Sequence, residues 1–186
     1  MTTFKASLFF IATLGLSLPG QSKTLRYSGE IVIGKIITES QLPDLPPTIY
    51  VDGTNLPKGA GDFLTGKMVY ETHCASCHGV NLEGYTAFNA PRLIGGRGSL
   101  KTDKPVKTVE SFWPYAVTLF DYINRAMPFL TPKILTPDEV YSVTAYILVR
   151  ANIIEKNDRP NESNLSGVKM PNQNGFVQSG LDDQLF

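Results

Sequence analysis

Three stretches of the chain carry apolar residues at helical spacing. Phe63, Gly66 and Tyr70 fall at i, i+3 and i+7 and so share one face. Asp62 stands just before them as a good N-cap, and a helix is predicted from there to Cys74. Val117, Phe120 or Tyr122, Ile123 and Ala126 give a second stretch an apolar side. Pro114 suits a first helical turn, so this helix is expected over 114–125. Val140, Val143, Ile147 and Ala151 form a third stripe. It opens with Thr136-Pro137-Asp138-Glu139, a capping box with proline at the first helical position, and should end near Asn152.

The intervening pattern is different in kind. Leu8 to Leu18 is apolar apart from Thr13, Gly15 and Ser17, with Lys5 ahead of it and Pro19-Gly20 behind. It is too short to span a bilayer, which takes about 20 residues. It reads as an export signal over 1–22, with small residues at Gly20 and Ser22 for the peptidase; an uncleaved anchor is the other reading. Residues 23–60 form an extended arm. Glu30 to Ile36 is β-rich, Pro43, Pro46 and Pro47 exclude a regular helix, and Gly53, Pro57 and Gly59 mark turns. The arm packs either on the helical part, 61–154, or on a partner. Residues 79–110 are loop-rich, punctuated by glycines and Pro91. Residues 155–186 are polar, rich in Asn and Gly, and read as a tail that is ordered only where it docks.

Composition narrows the classes. Apolar residues make up 42% of the 186, enough for a packed core. Lys+Arg and Asp+Glu are 17 each, and no basic stripe points to nucleic acid. Removing 1–22 leaves 16 basic residues against 17 acidic. The chemistry sits in Cys74-Ala75-Ser76-Cys77-His78, the C-x-x-C-H attachment signature of a c-type haem. Two thiols that add to the two vinyl groups of one porphyrin must lie about one helical turn apart. The next residue, His78, then offers its imidazole to the iron. The alternatives are a redox dithiol, a disulfide or half a zinc site. A zinc site takes about four ligands, yet the chain holds two Cys and two His, and both cysteines lie in the motif. The second histidine, His73, is on the same helix and should have a surface role. One covalent haem c is expected. Its propionates could meet Arg92, whose fork matches a carboxylate, and Trp113 or Tyr115, which carry polar handles. A solvated arginine and ordinary core or rim aromatics are the alternatives.

At this motif the chain resembles the cytochrome c superfamily. The resemblance implies a mainly α, cytochrome c-like domain of three or more helices around one haem, with extended irregular N- and C-terminal arms. It implies that Gly66 and Tyr70 meet the last helix, with Tyr146 as aromatic partner. It implies that a proline carbonyl about a dozen residues past the haem histidine accepts its Nδ1–H. Pro91, thirteen residues on, is the candidate, and a plain turn proline is the alternative. Of four methionines, Met1 lies in the signal and Met68 on the proximal helix, leaving Met127 and Met170. In single-haem members the distal methionine lies before the last helix, which is the place of Met127. Such ligation leaves no position open for substrate.

Longer stretches are similar to the cytochrome subunit of bacterial sulfur (sulfite) dehydrogenases. They are 112–129, from Phe112-Trp113-Pro114-Tyr115 to Arg125-Ala126-Met127-Pro128-Phe129, and also 52–59, 138–148 and Lys169-Met170-Pro171-Asn172. Some members carry a second haem domain, whereas this chain has one C-x-x-C-H. The resemblance implies a periplasmic one-electron carrier. Its donor would be a molybdenum-cofactor dehydrogenase subunit or another periplasmic dehydrogenase, and its acceptor a cytochrome or terminal oxidase. The arms would be docking surface. Two competing readings are a haem enzyme acting on a sulfur compound or peroxide at a labile distal site, and a gas-sensing or structural haem protein.

Overall fold

Asp62 begins the first helix by answering its unpaired amides. Its backbone is extended, and its carboxylate accepts from Leu64 N at 2.9 Å and Thr65 N at 3.0 Å. Helix α1 follows over Phe63–His73 in the computed structural model, which describes residues 37–38 and 46–177. The export signal, the β-rich stretch 30–36 and the end of the tail beyond 177 lie outside the described residues. The chain divides into two units, Met1–Asp44 and Leu45–Phe186. Of the first, only residues 37 and 38 are described, both exposed. Everything below concerns the second.

A four-residue turn of helix, α2 (Ala75–His78), comes next, then a long loop, then α3 (Ala116–Ala126) and α4 (Pro137–Arg150). The capping box of α4 forms as its sequence prescribes. Thr136 Oγ1 accepts from Glu139 N, and Glu139 Oε2 accepts from Thr136 N at 2.8 Å. Helix α4 ends in a Schellman pair: Ile153 N donates to Leu148 O and Asn152 N to Val149 O, with Asn152 at φ 51°. Helix α3 starts two residues later than Pro114, because Tyr115 is extended at φ −138°. Upstream, Phe112 N and Trp113 N both donate to Thr108 O, closing a turn. The residue before a proline is then pushed out of the helical region.

Helix α4 is buried on every side from Val140 to Leu148, so it is the axis of the core. Helix α1 crosses it at Gly66, where a β-carbon would run into Ser142 O. The ring of Tyr146 lies 5.1 Å from Tyr70 and 5.4 Å from Phe63. Helix α3 joins from another side through Phe120, whose ring is 4.3 Å from Tyr141. Its buried face is Ala116, Val117, Leu119, Phe120 and Ile123, while Tyr122 turns outward.

Both described flanking segments pack on this helical core. Tyr141 donates its hydroxyl to Pro57 O at 2.9 Å, and Asp138 accepts from Ala60 N at 2.9 Å. Gly61 N donates to Pro160 O, tying the two flanks to each other. Arg125, paired with Asp121, also donates to Pro47 O at 2.7 Å. On the C-terminal side Leu165 and Met170 enter the same core as α4, and Asn172 donates to Phe112 O at 2.8 Å. The tail therefore docks on the chain's own fold as far as Phe176, whose ring meets Phe112 at 5.3 Å, and Met170 is a core side chain.

Two outcomes are expected. Leu165→Ala should lower unfolding free energy by about 2–5 kcal/mol, since it empties a fully buried site. Chemical denaturation measures this, and an effect near zero would mean the tail is not part of the core. The caps predict an acid dependence. Thr65 and Leu64 hold Asp62 below its ordinary value of 3.8, with burial opposing, and Thr136 holds Glu139 below 4.5. The unfolded chain then binds protons more readily, so this stabilisation is present above those values and is lost as pH falls through the depressed ones. Asp62→Asn should flatten the fall in melting temperature measured as pH drops below 3.8.

Candidate functional site

The two thiols are placed by a break between α1 and α2. Cys74 N still donates to Tyr70 O, but Cys74 itself leaves helical geometry at φ −122°, ψ −37°. Its carbonyl then accepts from both Cys77 N and His78 N. The result is one tight turn with Cys74 at its start and Cys77 near its end. The thiols are not joined in a disulfide. Cys77 is exposed; Cys74 is half-buried, and burial, reinforced by nearby Cys77, pushes its thiol up to about 12. Gly79 ends the turn at φ 80°, ψ 152°, a conformation that favours glycine. A side chain there would also strike the Glu83 carboxylate.

His78 is held at three points by three different segments. Its backbone N–H donates to Cys74 O, and its carbonyl accepts from Gly84 N at 2.7 Å. Its ring Nδ1 lies 2.9 Å from Pro91 O. A carbonyl can only accept, so Nδ1 carries the proton and Nε2 is left with its lone pair free to bind a metal. The loop that delivers Pro91 is itself pinned. Tyr85 and Ala90 exchange backbone hydrogen bonds, Leu93 N donates to Leu82 O, and Val109 N donates to Leu93 O. Gly84 is required here because a β-carbon would collide with the backbone of Pro91 and Arg92.

The remaining expected residues are distributed as follows. Met127 caps α3, donating its N–H to Ile123 O, and is half-buried. Along with Cys74, Leu93, Ile94 and Trp113 it packs against the one core cluster. Trp113 also meets Tyr122 edge-on at 5.7 Å. Tyr115 and Arg92 are exposed, and Arg92 forms no ion pair among the described residues. The donor set fits a covalent haem: two unpaired thiols one turn apart, an imidazole with its tautomer set, a thioether, and apolar loop side chains.

Two features were not legible in the sequence. Tyr70 donates its hydroxyl to Gly79 O at 2.7 Å, behind the thiol turn. Arg97 donates to Glu110 Oε1 at 2.6 Å and to Ala151 O at 2.5 Å, while Glu110 Oε2 accepts from Gly95 N. This latch ties the loop after Pro91 to the end of α4. No local signal marks it, since its partners lie 13 and 54 residues apart.

Comparison with known proteins agrees with this geometry. A model of the cytochrome c family matches residues 63–150. No curated protein matches the chain. Among solved structures, the crystal structure of the sulfane dehydrogenase SoxCD from Paracoccus pantotrophus contains a similar chain. The TM-score is 0.70 at 34% identity, over 84% of this chain and 76% of that one.

The latch carries a prediction. Glu110→Ala leaves the Gly95 amide without its acceptor and takes one of its acceptors from the Arg97 guanidinium, and should cost about 1–3 kcal/mol. Amide exchange should quicken across 95–110, and a protection pattern identical to wild type would show that the latch does not hold the loop.

Proposed function

The chain belongs to the cytochrome c family, and from that premise we propose that it is the haem subunit through which a sulfur-compound dehydrogenase discharges its electrons. The family implies covalent haem and electron transfer. Bound haem supplies a one-electron Fe(II)/Fe(III) couple. In this reading Cys74 and Cys77 would anchor one haem by thioether bonds, and His78 and Met127 would hold its iron. Pro91 orients the imidazole through its carbonyl. Arg92, Trp113 and Tyr115 would be the candidates to meet its propionates. The observation that carries the reading is the bond from His78 Nδ1 to Pro91 O at 2.9 Å, on a histidine that directly follows two free thiols. It makes Nε2 the donor atom and raises its basicity.

The donor is a molybdenum-containing dehydrogenase subunit oxidising sulfite or a related sulfur compound. This rests on the 34% identity to a chain of a sulfane dehydrogenase and on the distal segment 112–129. A two-electron oxidation there would be drained one electron at a time, and the acceptor is a cytochrome or terminal oxidase. Residues 1–22, read as an export signal, would put the exchange in the periplasm. If His78 and Met127 both held the iron, it would carry electrons without binding substrate.

The test is haem reduction followed by visible absorption. Sulfite or thiosulfate alone should leave the oxidised protein unchanged, and the same substrate with periplasmic extract should reduce it. Reduction by substrate alone would establish chemistry at this haem and overturn the carrier reading. Absence of reduction under both conditions would remove the sulfur-compound donor. Met127→Ala should abolish the sulfur-to-iron charge-transfer band of the ferric state and lower the midpoint potential. An unchanged spectrum would transfer the sixth position to another group.

A further inference from the structure

The three bonds on His78 leave open what holds the end of the α2 turn against the helix pair. Gly79 is buried, and its carbonyl is one of the acceptors that a helix C-terminus leaves unpaired. It accepts from Leu82 N at 3.2 Å, a long bond, and from the Tyr70 hydroxyl at 2.7 Å, a short one. Tyr70 is fully buried, and its ring stacks obliquely on Tyr146 of α4. The side chain that seals α1 to α4 thus has its polar end on the residue after His78.

We propose that Tyr70 is a positioning residue for the axial histidine: its hydroxyl, donated to Gly79 O, sets how firmly the His78 imidazole is held against Pro91 O. This rests on the reading of His78 as an iron ligand. Burial pushes the phenol above its ordinary range, so it stays protonated and remains a donor at any physiological pH. A phenylalanine would supply the same ring contacts with Tyr146. The hydroxyl therefore serves the carbonyl of Gly79 rather than the helix crossing. Loss of that donor frees the end of the turn, and the Nδ1–H bond to Pro91 is the contact that must stretch. A weaker bond there makes the imidazole less basic and the ferric state less favoured.

Tyr70→Phe in the haem-loaded chain tests this, with Tyr146→Phe as control, because the Tyr146 hydroxyl accepts from Arg150 and does not touch the turn. The visible spectrum of the wild type comes first. If it lacks histidine ligation, the ligand assignment fails and this inference with it. With ligation intact, Tyr70→Phe should raise the midpoint potential. It should also speed deuterium exchange of the His78 Nδ1 proton by up to about tenfold, the range for one lost hydrogen bond. Tyr146→Phe should leave both unchanged. Equal potentials and equal exchange in Tyr70→Phe and wild type would overturn the proposal, as would equal shifts in the two variants. Should Tyr70→Phe fail to fold, 3-fluorotyrosine at residue 70 keeps the hydroxyl and strengthens its donation. Exchange should then slow, and an unchanged rate would count as refutation.

Discussion

The close approach of α1 to α4 at Gly66 is the constraint on which the other contacts depend. A β-carbon at this position has no room beside Ser142 O. Because the backbones meet there, Phe63 and Tyr70 reach Tyr146 from either side. Because Tyr70 lies under the last turn of α1, the break at Cys74 begins at a fixed height above the core. Helix α4, buried along nine consecutive residues, is then shared by α1, α3 and both flanking segments. Loosening the crossing would therefore act at once on packing and on the thiol turn.

The site is built outward from that crossing by segments distant in sequence. The turn supplies the thiols and the imidazole, the loop at Pro91 supplies the acceptor, and Met127, proposed as the second iron ligand, ends α3. No one of these segments is regular enough to hold its own geometry. Each borrows rigidity from the core through a few backbone bonds, such as Leu93 to Leu82 and Val109 to Leu93. Arg97 adds a charged tie from the loop to the carbonyls at the end of α4. The polar groups that matter most for the site are thus mostly main-chain atoms.

What the sequence disclosed follows from how far each interaction reaches along the chain. The caps at Asp62 and Thr136 were legible because donor and acceptor lie within three residues. The C-x-x-C-H turn was legible for the same reason. The start of α3 was misplaced by two residues: Pro114 is compatible with a first turn, but Tyr115 after it is extended, so the helix begins at Ala116. The fate of the flanks was not legible, since a polar stretch with few apolar residues gives no period. Leu165 and Met170 enter the core singly rather than as a stripe. The Arg97–Glu110 latch and the Tyr70 hydroxyl depend on tertiary proximity alone.

The burial of Leu165 and Met170 has a consequence in time. A chain is made from its N-terminus, so Cys74 and Cys77 emerge long before these two residues do. Until they arrive, the core around α4 lacks a side chain that ends up fully enclosed. The late arrival of the C-terminal segment therefore defers the closing of the core around α4 but not the exposure of the thiol turn, whose Cys77 stays exposed in the folded chain.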